Sequence, residues 1–179
     1  MKTKDVVINT TGIAKLQAML KRAITGINTG DPFDKLFKKW GALYLADMRK
    51  RFIRLSKGGG EWAELSLATI ARRRKGKKVG RPLIMRDTGT LLNALSIGAT
   101  GNLFVRISGG IKVGFNDDPH PNSKGDSIRD IAVRLHNGDR KTNLPARPII
   151  VKPSPETEAN MMMEAKKTME EVYLLCAVR

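Results

Sequence analysis

One continuous amphipathic segment, residues 32–56, constrains the fold more than any other feature of the sequence. Its apolar residues recur at three- and four-residue spacing over about seven turns, which predicts one long helix with a broad buried face. That face comprises Phe33, Leu36, Phe37, Trp40, Leu43, Tyr44, Met48, Phe52 and Leu55. Asp31 and Pro32 are good start signals, and Gly58–Gly60 ends the segment. A chain of 179 residues is long enough to cover such a helix within one domain.

The opposite face of this predicted helix is basic. A solvated surface and a partner-binding surface explain it equally well, because only Asp34 and Asp47 dilute its positive charge. Its cations are Lys35, Lys38, Lys39, Arg49, Lys50, Arg51 and Arg54.

Shorter elements are predicted on both sides of the long helix. Before it, β-branched residues at 5–8 favour a strand, and apolar spacing over 12–27 predicts a helix. After it, Ser66 can cap a short helix that runs into a basic tract, and Asp87-Thr88-Gly89 opens another. Period-two alternation between residues 96 and 115 predicts an antiparallel hairpin.

The C-terminal third alternates loops with short elements. Residues 116–126 have turn chemistry, and 127–136 form a helix stopped by Asn137-Gly138. Residues 144–151 look extended and end in an edge strand, since Pro145 and Pro148 cannot donate hydrogen bonds. A last helix begins at Ser154, with a helix-packing stripe of Met162, Ala165, Met169, Val172 and Cys176.

These elements predict an α+β fold in a single domain, residues 1–179. A small antiparallel sheet packs against the long helix, with further helices at the N- and C-terminal ends. Within the domain, 1–57 is a helical part, 58–82 a Gly-rich and basic loop region, 83–152 the α+β core and 153–179 the terminal helix.

Charge is the strongest compositional signal. Lys and Arg number 33 against 17 Asp and Glu, a formal net charge of +16. Such a field attracts polyanions, but it does not separate DNA from an acidic protein surface. The tract from 72 to 81 has no acid, so we predict a loop that repels itself until a partner neutralises it. The expected contact residues are Arg72, Arg73, Arg74, Lys75, Lys77, Lys78 and Arg81.

Cysteine content and hydropathy limit which covalent, metal-binding and membrane features this protein can have. Cys176 is the only cysteine, so an internal disulfide and a cysteine-based zinc site are excluded, and a reducing compartment fits. No run approaches the roughly 20 apolar residues of a membrane span. We expect no metal, no cofactor and no membrane partner.

Four sequence elements between residues 58 and 150 occur in an order that resembles the phage virion morphogenesis (tail completion) family. The first is Gly59-Gly60-Glu61-Trp62 with the following Leu-Ser step and Arg run. The second is the apolar lead into Asp87-Thr88-Gly89, and the third is Val133, His136 and Gly138. The fourth is Pro145-Ala146-Arg147-Pro148-Ile149. Ala132 and Val133 depart from the family pattern, which commonly has Tyr and Ala there, and the Gly after His136 is displaced.

The resemblance implies a structural virion protein that finishes a neck or tail so that head and tail can join. It implies a homo-oligomeric ring, with six-fold symmetry as the usual arrangement, bordered by head-completion and tail proteins. Packaged DNA would be a non-specific contact. The protein would act in the virion after assembly in the host cytoplasm.

The motif residues also have a physical interpretation that is structural. Trp62 is a large apolar anchor for a polar loop. Asp87 or Thr88 can accept backbone N–H groups at a helix start, and Gly89 permits close packing. His136 fits a hydrogen-bonding position at the core edge. Pro145 and Pro148 fix an extended segment and leave Arg147 available for a charge-assisted bond.

Two alternative functions fit the sequence less well. A metal-dependent nuclease would use Asp117, Asp118, His120 and Asp126, but they lie in a loop without predicted rigid support, so we expect no enzyme. A sequence-independent nucleic-acid-binding protein would explain the charge but not the ordered motifs. Its aromatic residues would also be spaced for base stacking, whereas here they follow the core phase of one helix.

Overall fold

The computed structural model describes residues 32–74, 82–107, 110–123 and 125–177. The predicted strand at 5–8 and helix at 12–27 lie outside them. Five helices and one hairpin follow in chain order: α1 (Pro32–Ser56), α2 (Leu67–Arg74), α3 (Thr90–Asn93), β1 (Asn102–Ile107), β2 (Gly110–Phe115), α4 (Ile128–Asn137) and α5 (Pro155–Ala177). The α+β class is therefore confirmed, with a two-stranded antiparallel sheet.

The long helix α1 is the centre of the fold, as its apolar face predicts. Met48, Phe52 and Leu55 are buried in the main core, and Leu45, which the predicted face omitted, joins them. Residues from later parts of the chain complete the core, including Trp62, Ile84, Leu95, Phe115, Ile128 and Ile149. Left-handed Gly58 and Gly59 follow the helix and turn the chain away from its axis.

The hairpin packs on α1 through the face on which the first strand, β1, is less apolar. Phe104 pairs with Val113 and Arg106 with Ile111 on this face. A Cβ at Gly41 of α1 would lie 2.7 Å from the Phe104 ring, so this glycine permits the close approach. The more regular apolar set on the other face includes Val105 and Ile107, which are about half exposed.

An ion pair explains why Arg106 turns inward. Its Nε lies 3.2 Å from a carboxylate oxygen of Asp34, and its guanidinium stands 4.5 Å from the centre of the Phe37 ring. Two strands alone are marginal in water, so the hairpin depends on α1 for its stability.

The predicted strand at 144–151 is wrong. Residues 145–149 belong to neither a helix nor a strand, and the fold holds them by bonds from side chains. The Pro148 carbonyl accepts hydrogen bonds from the side chains of Arg51 and Trp62, and Ile149 is buried in the core. The segment is therefore an internal strap between α4 and α5, not an exposed sheet edge.

The last helix, α5, runs antiparallel along α1. Ser154 caps it and is itself bonded through its N–H and Oγ to Asp47. Farther along, the carbonyl of Met161 accepts Trp40 Nε1 at 2.7 Å, and Lys39 pairs with Glu164 at 2.7 Å. Met162 and Met169 of the predicted packing stripe are exposed and do not face α1, whereas Thr168 is buried. No described helix is long and apolar enough to cross a membrane.

Candidate functional site

The four sequence elements described above are linked in pairs by hydrogen bonds and one ion pair of a set of residues, here called the motif node: Trp62, Arg73, His136, Arg147 and Pro148. Trp62 anchors it, with 2% of its surface exposed. Its ring meets Phe52 edge-on at a centroid distance of 5.0 Å, and its Nε1 donates to the Pro148 carbonyl at 3.0 Å. The first and fourth elements are thus joined directly.

Arg147 strengthens the same junction from the other side. It is 5% exposed, and its Nε and Nη2 donate to the carbonyls of Ala63 and Glu64 at 3.0 and 3.3 Å. Burial lowers the pKa of the Arg147 guanidinium, the nearby charge of Arg73 lowers it further, and Glu64 raises it. The expected charge-assisted donor role is therefore present, but it is directed at the backbone of the chain itself.

The third element joins the fourth through His136 and Gly138. His136 Nδ1 accepts the Ile149 N–H at 3.1 Å, as expected for a histidine at the core edge. The Arg147 N–H donates to the Leu135 carbonyl at 2.8 Å. Gly138 ends α4 at a φ of +74°, and a Cβ there would lie 2.7 Å from the backbone of Leu144 and Ala146. This glycine is required by both conformation and space.

The second element joins the first through Arg73. Its Nη1 donates to the Leu83 carbonyl at 2.9 Å, and its Nε lies 3.6 Å from Asp87. Thr88 Oγ1 accepts the Thr90 N–H at 3.3 Å, while Gly89 adopts a φ of +81° immediately before α3. Thr88, not Asp87, therefore supplies the bond at this helix start.

The basic tract is only partly a loop. Arg72, Arg73 and Arg74 belong to α2, which begins after Ser66, whose Oγ accepts the Thr69 N–H at 3.2 Å. Arg72 is exposed, whereas Arg73 is engaged in the motif node and is not available for a partner. The remaining expected contact residues, Lys75, Lys77, Lys78 and Arg81, lie outside the described residues.

Much of the basic face of α1 is used inside the fold. Arg51 donates to the Pro148 carbonyl at 2.7 Å and pairs with Glu61 at 2.6 Å. Arg49 donates to the Leu92 carbonyl and to Ser96 Oγ at 3.1 and 2.7 Å. Both residues lie three or four positions from buried apolar ones, a spacing that could have revealed their role. Lys35, Lys50 and Arg54 remain exposed.

The acidic loop 116–126 has more internal support than its sequence predicts. Asp118 accepts the Gly101 N–H at 2.7 Å, and Asp117 pairs with Arg129 at 2.8 Å. Bonds from Ser123 and Arg134 lower the pKa of Asp126 below its ordinary value. Each carboxylate thus has a separate local partner. Within the described ranges, no three His, Cys, Asp or Glu side chains are grouped to hold a metal ion.

An open groove with a volume of about 700 Å³ lies between α1, α3 and the acidic loop. Its polar lining is neutral apart from Arg49, whose guanidinium is already bonded to Ser96. The other residues that line it are Thr90, Asn93, Ala99, Thr100, Pro119 and Pro121. Its chemistry suits weak polar contacts with a broad partner surface better than a precisely oriented small molecule.

Comparisons of the chain with protein-family models, with curated proteins and with solved structures found no match.

Proposed function

We propose that this chain is a structural protein of a tailed-phage virion, which completes the neck or tail as an oligomeric ring and so allows head and tail to join. The observation that carries the proposal is the set of four ordered elements that resemble the tail completion family. Their side chains meet in the motif node, where they bond to backbone groups of one another's segments. Side chains that bond to the backbone of distant segments fit a protein whose role is to hold a fixed shape for assembly.

The polar side chains of the motif node support a structural role. Trp62, His136 and Arg147 each direct a ring or guanidinium nitrogen at a main-chain group. A nucleophile and a general base, by contrast, must lie within hydrogen-bond reach of each other and of a substrate. The proposed activity is therefore assembly and not catalysis.

Electron microscopy of lysates tests this function. The gene is disrupted in the phage or prophage that carries it, and the wild-type gene is supplied in trans as the control. We expect DNA-filled heads and finished tails that lie unjoined, with joined virions restored by the control. Intact infectious virions from the disrupted phage would refute the proposal.

A sequence-independent nucleic-acid-binding protein is the second candidate, and the net charge of +16 favours it. Such a protein should bind random duplex DNA tightly at physiological salt. Its affinity should fall with a logarithmic slope of about −0.9 for each phosphate contacted. Tight, steeply salt-dependent binding together with normal virions in the disruption experiment would favour this second function over the first.

A further inference from the structure

The outer face of α5 is an apolar surface that no described part of the chain covers. Met162, Met169 and Tyr173 follow each other at seven- and four-residue spacing, so they form one stripe along the helix. They are 68%, 57% and 60% exposed. Met163 and Leu174, also at least half exposed, widen the stripe on one side. Exposed apolar area of this extent on one helix indicates a contact surface for another macromolecule.

The charge of α5 restricts what that partner can be. The helix contains five glutamates and two lysines, although the whole chain carries +16. Glu158, Glu170 and Lys166 are exposed beside the stripe, so this face is net acidic, whereas Glu164 faces α1 and pairs with Lys39. DNA or an anionic bilayer would be repelled by this face, so its complement is a basic protein surface that also has apolar area.

A second copy of this chain offers such a surface on α2. Leu67 is 84% exposed and shares the outer face of that short helix with Ala68, Ala71 and Arg72. The two alanines leave shallow space in which methionine or tyrosine side chains can sit, and Arg72 supplies the positive charge. In sequence, Arg72 is followed by Lys75, Lys77, Lys78 and Arg81.

The two surfaces lie toward opposite ends of α1. From Ser154 beside Asp47, α5 runs past Trp40 and Lys39 toward the beginning of α1. The α2 helix instead follows the end of α1, and the intervening loop is held there by Arg51 and Glu61. Because α1 is about 37 Å long, a contact between the two surfaces must join different copies.

We infer that the acidic apolar stripe of α5 in one subunit docks on the Leu67–Arg72 face of α2 in the next. Two different surfaces meet, so the contact is heterologous and repeats from subunit to subunit until a ring closes. This inference rests on the proposed ring and assigns its subunit contact.

Light scattering of the purified full-length protein after gel filtration tests the contact. At about 100 µM chain, a contact of micromolar affinity is nearly saturated, and we expect a mass of several chains. Met169→Glu combined with Tyr173→Glu should give the mass of one chain with an unchanged melting curve. Ile97→Glu is the matched control, because Ile97 is 53% exposed but lies on neither surface, and it should keep the wild-type mass.

Charge reversal tests which surfaces meet. Arg72→Glu and Glu170→Lys should each give single chains, and an equal mixture of the two variants should regain the multimeric mass, because alternating subunits restore both charge pairs. A wild-type monomer, or multimers that survive the double α5 variant, would overturn the inference. An Arg72→Glu protein that still assembles would also overturn the inference. The α5 stripe would then bind a different surface, such as a second α5 or the chain's own residues 1–31.

The mass measurements test the subunit contact and the lysate experiment tests the neck function, so either proposal can be refuted without the other. Assembly through these two surfaces alongside intact virions after gene disruption would retain the subunit contact and reject the neck function. Unjoined heads and tails alongside a monomeric purified protein would do the reverse.

Discussion

At the scale of single residues, sequence chemistry predicted the kind of bond more reliably than its partner. Arg147 was expected to use a charge-assisted bond, and it does, but on the carbonyls of Ala63 and Glu64 more than 80 positions away. His136 was placed correctly at the core edge, while Arg49 and Arg51 were assigned to a basic outer face. A long cationic side chain can reach either solvent or a carbonyl, and only the surrounding fold decides between them.

Replacing Arg147 tests the central bond of the motif node. Arg147→Met should lower the free energy of unfolding by about 2–4 kcal/mol, because two buried carbonyls lose their donors. Arg147→Lys should cost less, about 1–2 kcal/mol, since one ammonium cannot reproduce the planar fork. Urea denaturation measures both, and Arg140→Met at an exposed position is the control. A normal denaturation midpoint for Arg147→Met would show that these bonds contribute nothing to stability.

Gly138 provides a second residue-scale test. Gly138→Ala should destabilise the protein by several kcal/mol, because the new Cβ would lie 2.7 Å from the backbone of the following strap. Gly98→Ala is the matched control, since Gly98 has nearly the same φ, +76°, with nothing within 4 Å of the Cβ position. It should cost only about 1–2 kcal/mol for the left-handed backbone. Equal losses in thermal or urea unfolding would mean that crowding at Gly138 is unimportant.

At the scale of elements, local periodicity identified α1, α4, α5 and the hairpin, but not all of their buried faces. The packed face of α5 includes Glu164 and Thr168, which an apolar stripe cannot reveal because Glu164 is held by Lys39. The strap at 145–149 was assigned to a strand because proline fixes an extended backbone. The Pro148 carbonyl in this segment is held by side chains of α1 and of Trp62, and no pattern within the segment identifies these partners.

The contact between α5 and α1 should depend on pH. The hydrogen bond from Lys39 holds the pKa of Glu164 below its ordinary 4.5, and Lys167 contributes in the same direction. The stabilisation from this pair is therefore fully present above about pH 4.5 and is lost as the pH falls through the lowered value. The same bond raises the pKa of Lys39 above 10.5, so the stabilisation is also lost as the pH rises through that raised value.

Lys39→Met should flatten both limbs of this pH profile. Urea-unfolding free energies at neutral pH, near pH 3 and near pH 11 measure the change. Lys35→Met, at an exposed position of the same helix, should not change the pH profile from that of the wild-type protein. Identical profiles for Lys39→Met and the wild type would exclude this pair as the cause.

At the scale of the whole molecule, the sequence predicted the α+β class, and the positive charge of the tract from 72 to 81 led to the prediction of a partner-binding surface there. The described cations include two contrasting sets. Arg49, Arg51, Arg73, Arg106 and Arg147 bond within the fold, whereas Lys50, Arg54, Lys57, Arg72 and Lys112 are exposed. A count of charges in the sequence does not distinguish buried, bonded cations from exposed ones, which is why Arg73 was included among the expected partner contacts.

Neutralising the basic tract tests its role in the assembled particle. Replacing Lys75, Lys77, Lys78 and Arg81 with Gln should leave the melting temperature within about 2 °C of the wild type, because Arg73 is kept. We expect loss of head–tail joining in complementation or a reduced salt slope of DNA binding. The control replaces Lys50, Arg54, Lys57 and Lys112 with Gln, which removes the same charge elsewhere. Unfolding of the tract variant, or equal effects of both sets, would contradict a specific role.

The antiparallel course of α5 along α1 has a consequence for synthesis on the ribosome. Trp40 and its partner Met161 are 121 positions apart. At a translation rate of about 5–20 residues per second, Met161 is therefore synthesised roughly 6–24 s after Trp40. During this interval the newly made α1 cannot complete its packing against α5. A nascent chain halted before residue 155 would keep that side of α1 uncovered, which makes it a natural target for chaperones and proteases.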